Sequence, residues 1–193
     1  MKTDAGTNQS KSSDLKRDRK LIKEVLEGNT ESFASLMSFY MGRVKALGFS
    51  FFRNEADTDD FVQEVFIKVF RNLKSFRGES SLATWITRIA YTTAINMKKK
   101  SGETSPIEDD FDIPSEGYGP EDSQLRKATR LAVKEAVREL PEKYEICLSL
   151  YFFMDFSHEE IAVITGFPVN TIKSHIFRAK KILKEKLKEF YEP

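Results

Sequence analysis

Between Leu15 and Lys100 apolar residues return every three or four positions almost without a break, and no segment alternates apolar and polar residues as a half-buried strand does. A chain patterned this way has to bury stripes on helices, so the fold class it predicts is all-α. Leu21, Ile22, Val25 and Leu26 mark a first helix, which stops at Gly28-Asn29. A second starts at Thr30 and carries Phe33, Leu36, Met37, Tyr40, Val44 and Leu47. A third follows Asn54, with Asp57, Asp59 and Asp60 in its first turns, and continues through Val62, Val65, Phe66, Val69, Phe70 and Leu73. A fourth runs from about Ser81 through Trp85, Ile86, Ile89 and Ile95 to the basic cluster Lys98-Lys99-Lys100.

The pattern breaks at SGETSPIEDDFDIPSEGYGPEDS, rich in Gly, Pro, Ser and acid and with nothing to bury. Helical periodicity then resumes over Gln124 to Glu139, Pro141 to Phe153, a short segment from Ser157 and a long basic one. The organisation expected is two small helical domains joined by a flexible acidic linker. A disordered tail spans 1–14, one domain 15–100, the linker 101–123, and a domain with a helix-turn-helix 124–193. The opening MKTDAGTNQSKSSD has no apolar core and does not read as a signal peptide. No apolar run approaches the roughly 20 residues of a membrane span. Cys147 is the only cysteine, which excludes an internal disulfide and fits a reducing cytoplasm. Flanked by Ile146 and Leu148, with no histidine nearby in sequence, it reads as a buried thiol rather than a nucleophile.

Net charge is only +1, but its distribution is uneven. Eight acids and no base lie between Ser101 and Leu125, whereas Lys173 to Lys188 holds seven Lys or Arg against Glu185 alone. The first segment repels itself and stays solvated; the second is either a solvated helix face or a surface for phosphate.

That basic segment follows a recognisable local design. Ser157-His158-Glu159-Glu160 is a capping box, EEIAVIT a short helix, Gly166 its left-handed end, and Phe167-Pro168 a turn into the next helix. Ala162, Gly166 and Ile172 supply the small residue, tight turn and apolar plug of a helix-turn-helix. On the second helix Ile172, Ile176, Ala179 and Leu183 share one face, which leaves Phe177 outside beside Asn170, Ser174 and Lys181. In a major groove Arg178 can pair with guanine, Ser174 can bond to several bases, and Phe177 can pack on a thymine methyl. Thr171, Lys173 and Lys181 are placed for phosphates. The competing role for Phe177 is contact with a protein.

Asp57, Asp59, Asp60 and Glu64 could suggest a metal or acid–base site. Acids opposing a helix dipole on an exposed stripe explain them better, because His158 and His175 lie far away in sequence. No metal, cofactor or catalysis is expected.

The segment from LPEKYE through FSHEEIA to PVNTIKSHIFRAKK resembles the C-terminal domain of extracytoplasmic-function (ECF) sigma factors of bacterial RNA polymerase. Upstream, DFVQEVFIKVFRNLKSFRGESSLATWITRIA resembles the promoter-melting domain of the same family, so the resemblance covers about Leu21 to Leu187. It implies that Asp60, Phe61, Gln63, Glu64 and Ile67 dock on the clamp helices of the polymerase β′ subunit, with the β subunit a further contact. On that account Phe61 and Ile67 should be partly exposed in the free chain. It also implies that the loop with Phe76, Arg77, Gly78 and Ser80, and the helix with Trp85, Arg88 and Asn96, read and open the −10 element. The helix from Val169 would read the −35 element. A flipped base needs an apolar wall and cations, which the loop contains, although Phe76 and Trp85 could instead fill core, Trp85 especially. Two positions depart from the pattern. Ile86 stands where primary sigma factors carry a second Trp, implying weaker intrinsic melting, and Thr92 replaces a frequent Asn, so no base contact is carried over there. The acidic linker would thread the RNA-exit region of the polymerase.

The function implied is a dissociable initiation subunit that gives core RNA polymerase its promoter choice, with promoter DNA and in many relatives an anti-sigma factor as partners. The alternative is a stand-alone helix-turn-helix regulator, which has no need of the DFVQEVF helix followed by the FRGESS loop.

Overall fold

A computed structural model describes the backbone of residues 4–101 and 132–188, and the side chains of 13–100 and 132–188. The expected linker over 101–123 and the start of the helix from Gln124 lie outside the described residues, Ser101 apart, which closes the fourth helix. Every regular element described is helical: α1 (Asp4–Leu26), α2 (Thr30–Phe52), α3 (Glu55–Asn72), α4 (Leu82–Ser101), α5 (132–138), α6 (Glu142–Phe152), α7 (His158–Thr165) and α8 (Val169–Lys186). The chain divides into two compact units, the first holding α1, α3, α4 and most of α2, the second α5 to α8. Among the described residues no helix is long and apolar enough to cross a membrane.

One boundary differs from expectation. The helix begins at Asp4, within the segment read as a disordered tail. The stretch has no proline, and although Gly6 and its Thr, Asn and Ser residues are weak helix formers, they add to a helix already nucleated by the apolar turns after Leu15.

In the first unit α1 ends where Gly28 takes φ +96°, a conformation glycine adopts without steric cost. Asn29 then caps α2, its Oδ1 accepting from the Glu31 and Ser32 N–H groups at 3.0 and 3.1 Å. Buried Asp18 joins α1 to α2 by accepting from the Tyr40 hydroxyl at 2.6 Å, while Arg17 neutralises it. The core is a layer of Leu36, Val44, Leu47, Phe61, Val65, Val69 and Ile86, all nearly solvent-free. A short 3₁₀ turn, Leu73–Ser75, ends α3, and Ser81 opens α4 by accepting from the Thr84 N–H at 3.1 Å.

In the second unit Val137, Leu140, Leu148 and Ala179 form a buried cluster that fastens α6 to α8. The capping box is present in full: Ser157 Oγ accepts from the Glu160 N–H at 3.1 Å, and Glu160 Oε2 accepts from the Ser157 N–H at 2.9 Å. Gly166, at φ +78°, ends α7 with its N–H on the Ala162 carbonyl at 2.8 Å. Ile172 is fully buried, as the plug position requires.

Candidate nucleic-acid and polymerase interfaces

On α8 the buried residues are Ile172, His175, Ile176 and Ala179. The helix therefore turns Asn170, Lys173, Ser174, Phe177, Arg178 and Lys181 to solvent, with Thr171 half-buried. Phe177 is 66% exposed, more than any other large apolar side chain described. The ring thus lies in solvent among the cations Lys173, Arg178 and Lys181. Arg178 Nη1 donates to the Tyr144 hydroxyl of α6 at 3.3 Å.

His175 is the residue sequence reasoning missed. It lies on the core face, with Tyr144 and Phe167 rings at 5.2 and 5.6 Å, and its Nδ1 is 3.6 Å from Cys147 Sγ. Burial, with Lys143 and Arg178 nearby, lowers its pKa. A histidine far from Cys147 in sequence is thus its neighbour in space. The thiol is nonetheless inert, because burial pushes its pKa up to about 11. The available signal was its register, three residues after Ile172 and next to Ile176.

On α3 one exposed stripe carries Asp60, Gln63 and Ile67, at spacings of three and four, with Glu64 half-buried among them and Phe70 continuing it. Ile67 and Phe70 are 44% and 52% exposed, so apolar surface lies next to acid and amide. Phe61 does not belong to this surface, and the exposure expected of it is wrong: it is fully buried. Its register with Thr58, Val62, Val65, Phe66 and Val69 makes it part of the core stripe. Two acids at the start of α3, and Glu64 further along, serve ion pairs. Asp59 and Glu55 meet Lys45 at 3.0 and 3.6 Å, and Glu64 meets Lys68 at 3.1 Å. Among the described residues no cluster of His, Cys, Asp and Glu could hold a metal ion.

Between α3 and α4 the loop exposes Arg77, Gly78 and Glu79, with Gly78 in the left-handed region at φ +74°. Phe76 and Ser80 are half-buried, and the Phe76 ring lies 5.4 Å from that of Trp85. Both rings are partly wet, so neither is wholly a core filler. Along α4, Arg88, Thr92 and Asn96 recur every four residues on an exposed line that runs to Lys99 and Lys100. Thr92 Oγ1 is turned back on the Arg88 carbonyl at 2.9 Å.

Both halves of the chain match family models: Sigma-70 region 2 over residues 36–104 and Sigma-70, region 4 over residues 130–183. Two helical units bearing these regions in this order are the layout of the sigma-70 class. Over 180 residues the chain is 34% identical to the ECF RNA polymerase sigma-E factor of Haemophilus influenzae, covering 88% of this chain and 95% of that protein. The Escherichia coli K12 sigma-E factor matches at the same identity, over 88% of this chain and 94% of its own. In fold the chain is similar to CnrH, solved with the cytosolic domain of CnrY (TM-score 0.65, 20% identity, 90% of this chain and 98% of that one). It is equally similar to the sigma factor RpoE of Bartonella quintana, solved with the anti-sigma factor NepR (TM-score 0.65, 24% identity, 82% and 98%). This chain belongs to the ECF RNA polymerase sigma factors.

Proposed function

We propose that this sigma factor docks on core RNA polymerase through the α3 stripe of Asp60, Gln63, Glu64 and Ile67 and reads promoters with two separate surfaces. The outward face of α8 enters the major groove of a −35 element. Arg178, Ser174 and Phe177 meet base edges, while Asn170, Thr171, Lys173 and Lys181 hold the backbone. The loop with Phe76, Arg77, Gly78 and Ser80 captures an unpaired base of the −10 element, and Arg88 and Asn96 of α4 line the strand beyond it. The chemistry of transcription belongs to the polymerase. Phe61 has no part in docking; it supports α3 from within.

The observation that carries this reading is Phe177, 66% exposed at the centre of a basic helix that follows a capped helix and tight turn. The sigma factor RpoE of Bartonella quintana, similar in fold, is solved with the anti-sigma factor NepR, which extends the reading to a sequestering protein. The test is to compare Arg178→Ala with Lys173→Ala on a promoter library. The first should cost roughly 1–3 kcal/mol on the best element and relax one base pair. The second should weaken all sequences alike and lower the salt slope by about 1. Identical behaviour of the two would break the division into readers and holders.

A further inference from the structure

Arg178 is held before any DNA arrives. Its Nη1 donates to the Tyr144 hydroxyl at 3.3 Å, and among the described residues no other hydrogen bond or ion pair engages the guanidinium. Tyr144 is itself fixed. It sits in the first turn of α6, its N–H on the Pro141 carbonyl at 2.7 Å, and its side chain packs against the cluster that joins α6 to α8. On its other side the ring meets the buried His175 imidazole at 5.2 Å and 54°. The ring is therefore held by helix packing, and its hydroxyl reaches the solvent-exposed side chain of Arg178.

We propose that Tyr144 is a positioning residue for promoter reading: its hydroxyl orients the Arg178 guanidinium toward the base edge. The proposal rests on Arg178 being a base reader, as argued above. A guanidinium presents its N–H donors in a rigid planar fork. Nη1 gives one of its two N–H groups to Tyr144, and the edge formed by Nε and Nη2 stays whole, its two parallel N–H groups a match for the O6 and N7 acceptors of guanine. An unrestrained arginine would lose several rotatable bonds' worth of freedom on docking. Here part of that ordering has already occurred in the free protein. A phenylalanine at 144 would keep the packing on that cluster and on His175 but would offer Arg178 no acceptor.

The experiment uses the full chain with core polymerase and a promoter duplex library randomised through the upstream hexamer. Parent, Tyr144→Phe and Arg178→Ala are compared for base preference, salt slope and thermal midpoint. Arg178→Ala should abolish preference at one base pair. Tyr144→Phe should reduce preference at that same base pair by about three-fold or more, the worth of one exposed hydrogen bond, with salt slope and midpoint unchanged. Preference retained in Tyr144→Phe, or a uniform loss over all sequences, overturns the positioning role while leaving Arg178 as reader. Preference unchanged in Arg178→Ala removes the reader assignment and the positioning role together.

Discussion

A Cβ built on Gly48 of α2 would lie 2.6 Å from the ring of Phe61 on α3, closer than real Cβ contacts allow. Two helices thus approach over a missing side chain, and Phe61 fills the space as a fully buried residue. Gly48→Ala should force the ring or α3 to move and destabilise the fold by roughly 1–3 kcal/mol in urea unfolding. Unchanged stability would mean that the Phe61 ring can swing aside freely.

The same contact separates two kinds of α3 variant. Phe61→Ala should unfold the first unit more easily by about 3–5 kcal/mol, through the cavity it leaves. Gln63→Ala with Ile67→Ala should keep helicity and melting temperature but weaken binding to core polymerase by about 2 kcal/mol or more. Equal core binding by the double variant and the parent would dismiss this stripe as the docking surface.

His175 makes the stability of the second unit depend on pH. It is neutral where it is buried, beside Cys147 and Tyr144 with Lys143 and Arg178 nearby, and its folded pKa is lowered mainly by burial. The unfolded chain takes up the proton more readily, at its usual pKa of about 6.5. Its contribution is therefore present above that value and is lost as pH falls through it toward the lower folded pKa. Glu145 of α6, pushed up to about 7 by burial, pulls the other way over the same range, so the check is a difference. On acidification the denaturant midpoint of the parent, followed by a probe in α6 or α8, should fall relative to that of His175→Gln. An equal slope in parent and variant would assign the effect to other groups.

How much of this was legible in the sequence divides along the reach of the interactions. Ser157, Glu160 and Gly166 act within one turn of chain, so their cap and stop could be read directly and recur in the structure. Phe177 could be placed outside α8 because helical register alone decides it. Phe61 is the exception: the family resemblance implies docking for it together with Asp60 and Gln63, whereas its register with Val62, Val65 and Val69 places it in the core. His175 beside Cys147, and Tyr144 beneath Arg178, depend on how α6 packs on α8 across 28 and 34 residues of chain. No local pattern encodes those meetings.

Phe76 and Arg77 should matter once the duplex opens. Phe76→Ala and Arg77→Ala should each lose about five-fold or more in run-off transcription, since one stacked base is worth roughly 1–3 kcal/mol. A premelted bubble should rescue a variant defective only in opening and fail to rescue one that has lost base capture. Parental transcription by both variants over all −10 sequences would make the loop a connector.

The most direct test of the whole account is run-off transcription with purified core RNA polymerase, with and without this chain, on a library of promoter fragments, followed by mapping of start sites. The account predicts start sites that appear only when the chain is added, share an upstream and a −10 element, and vanish with the Gln63→Ala, Ile67→Ala double variant. Start sites unchanged by the chain, together with tight binding of the chain alone to palindromic DNA, would contradict it and favour a stand-alone regulator.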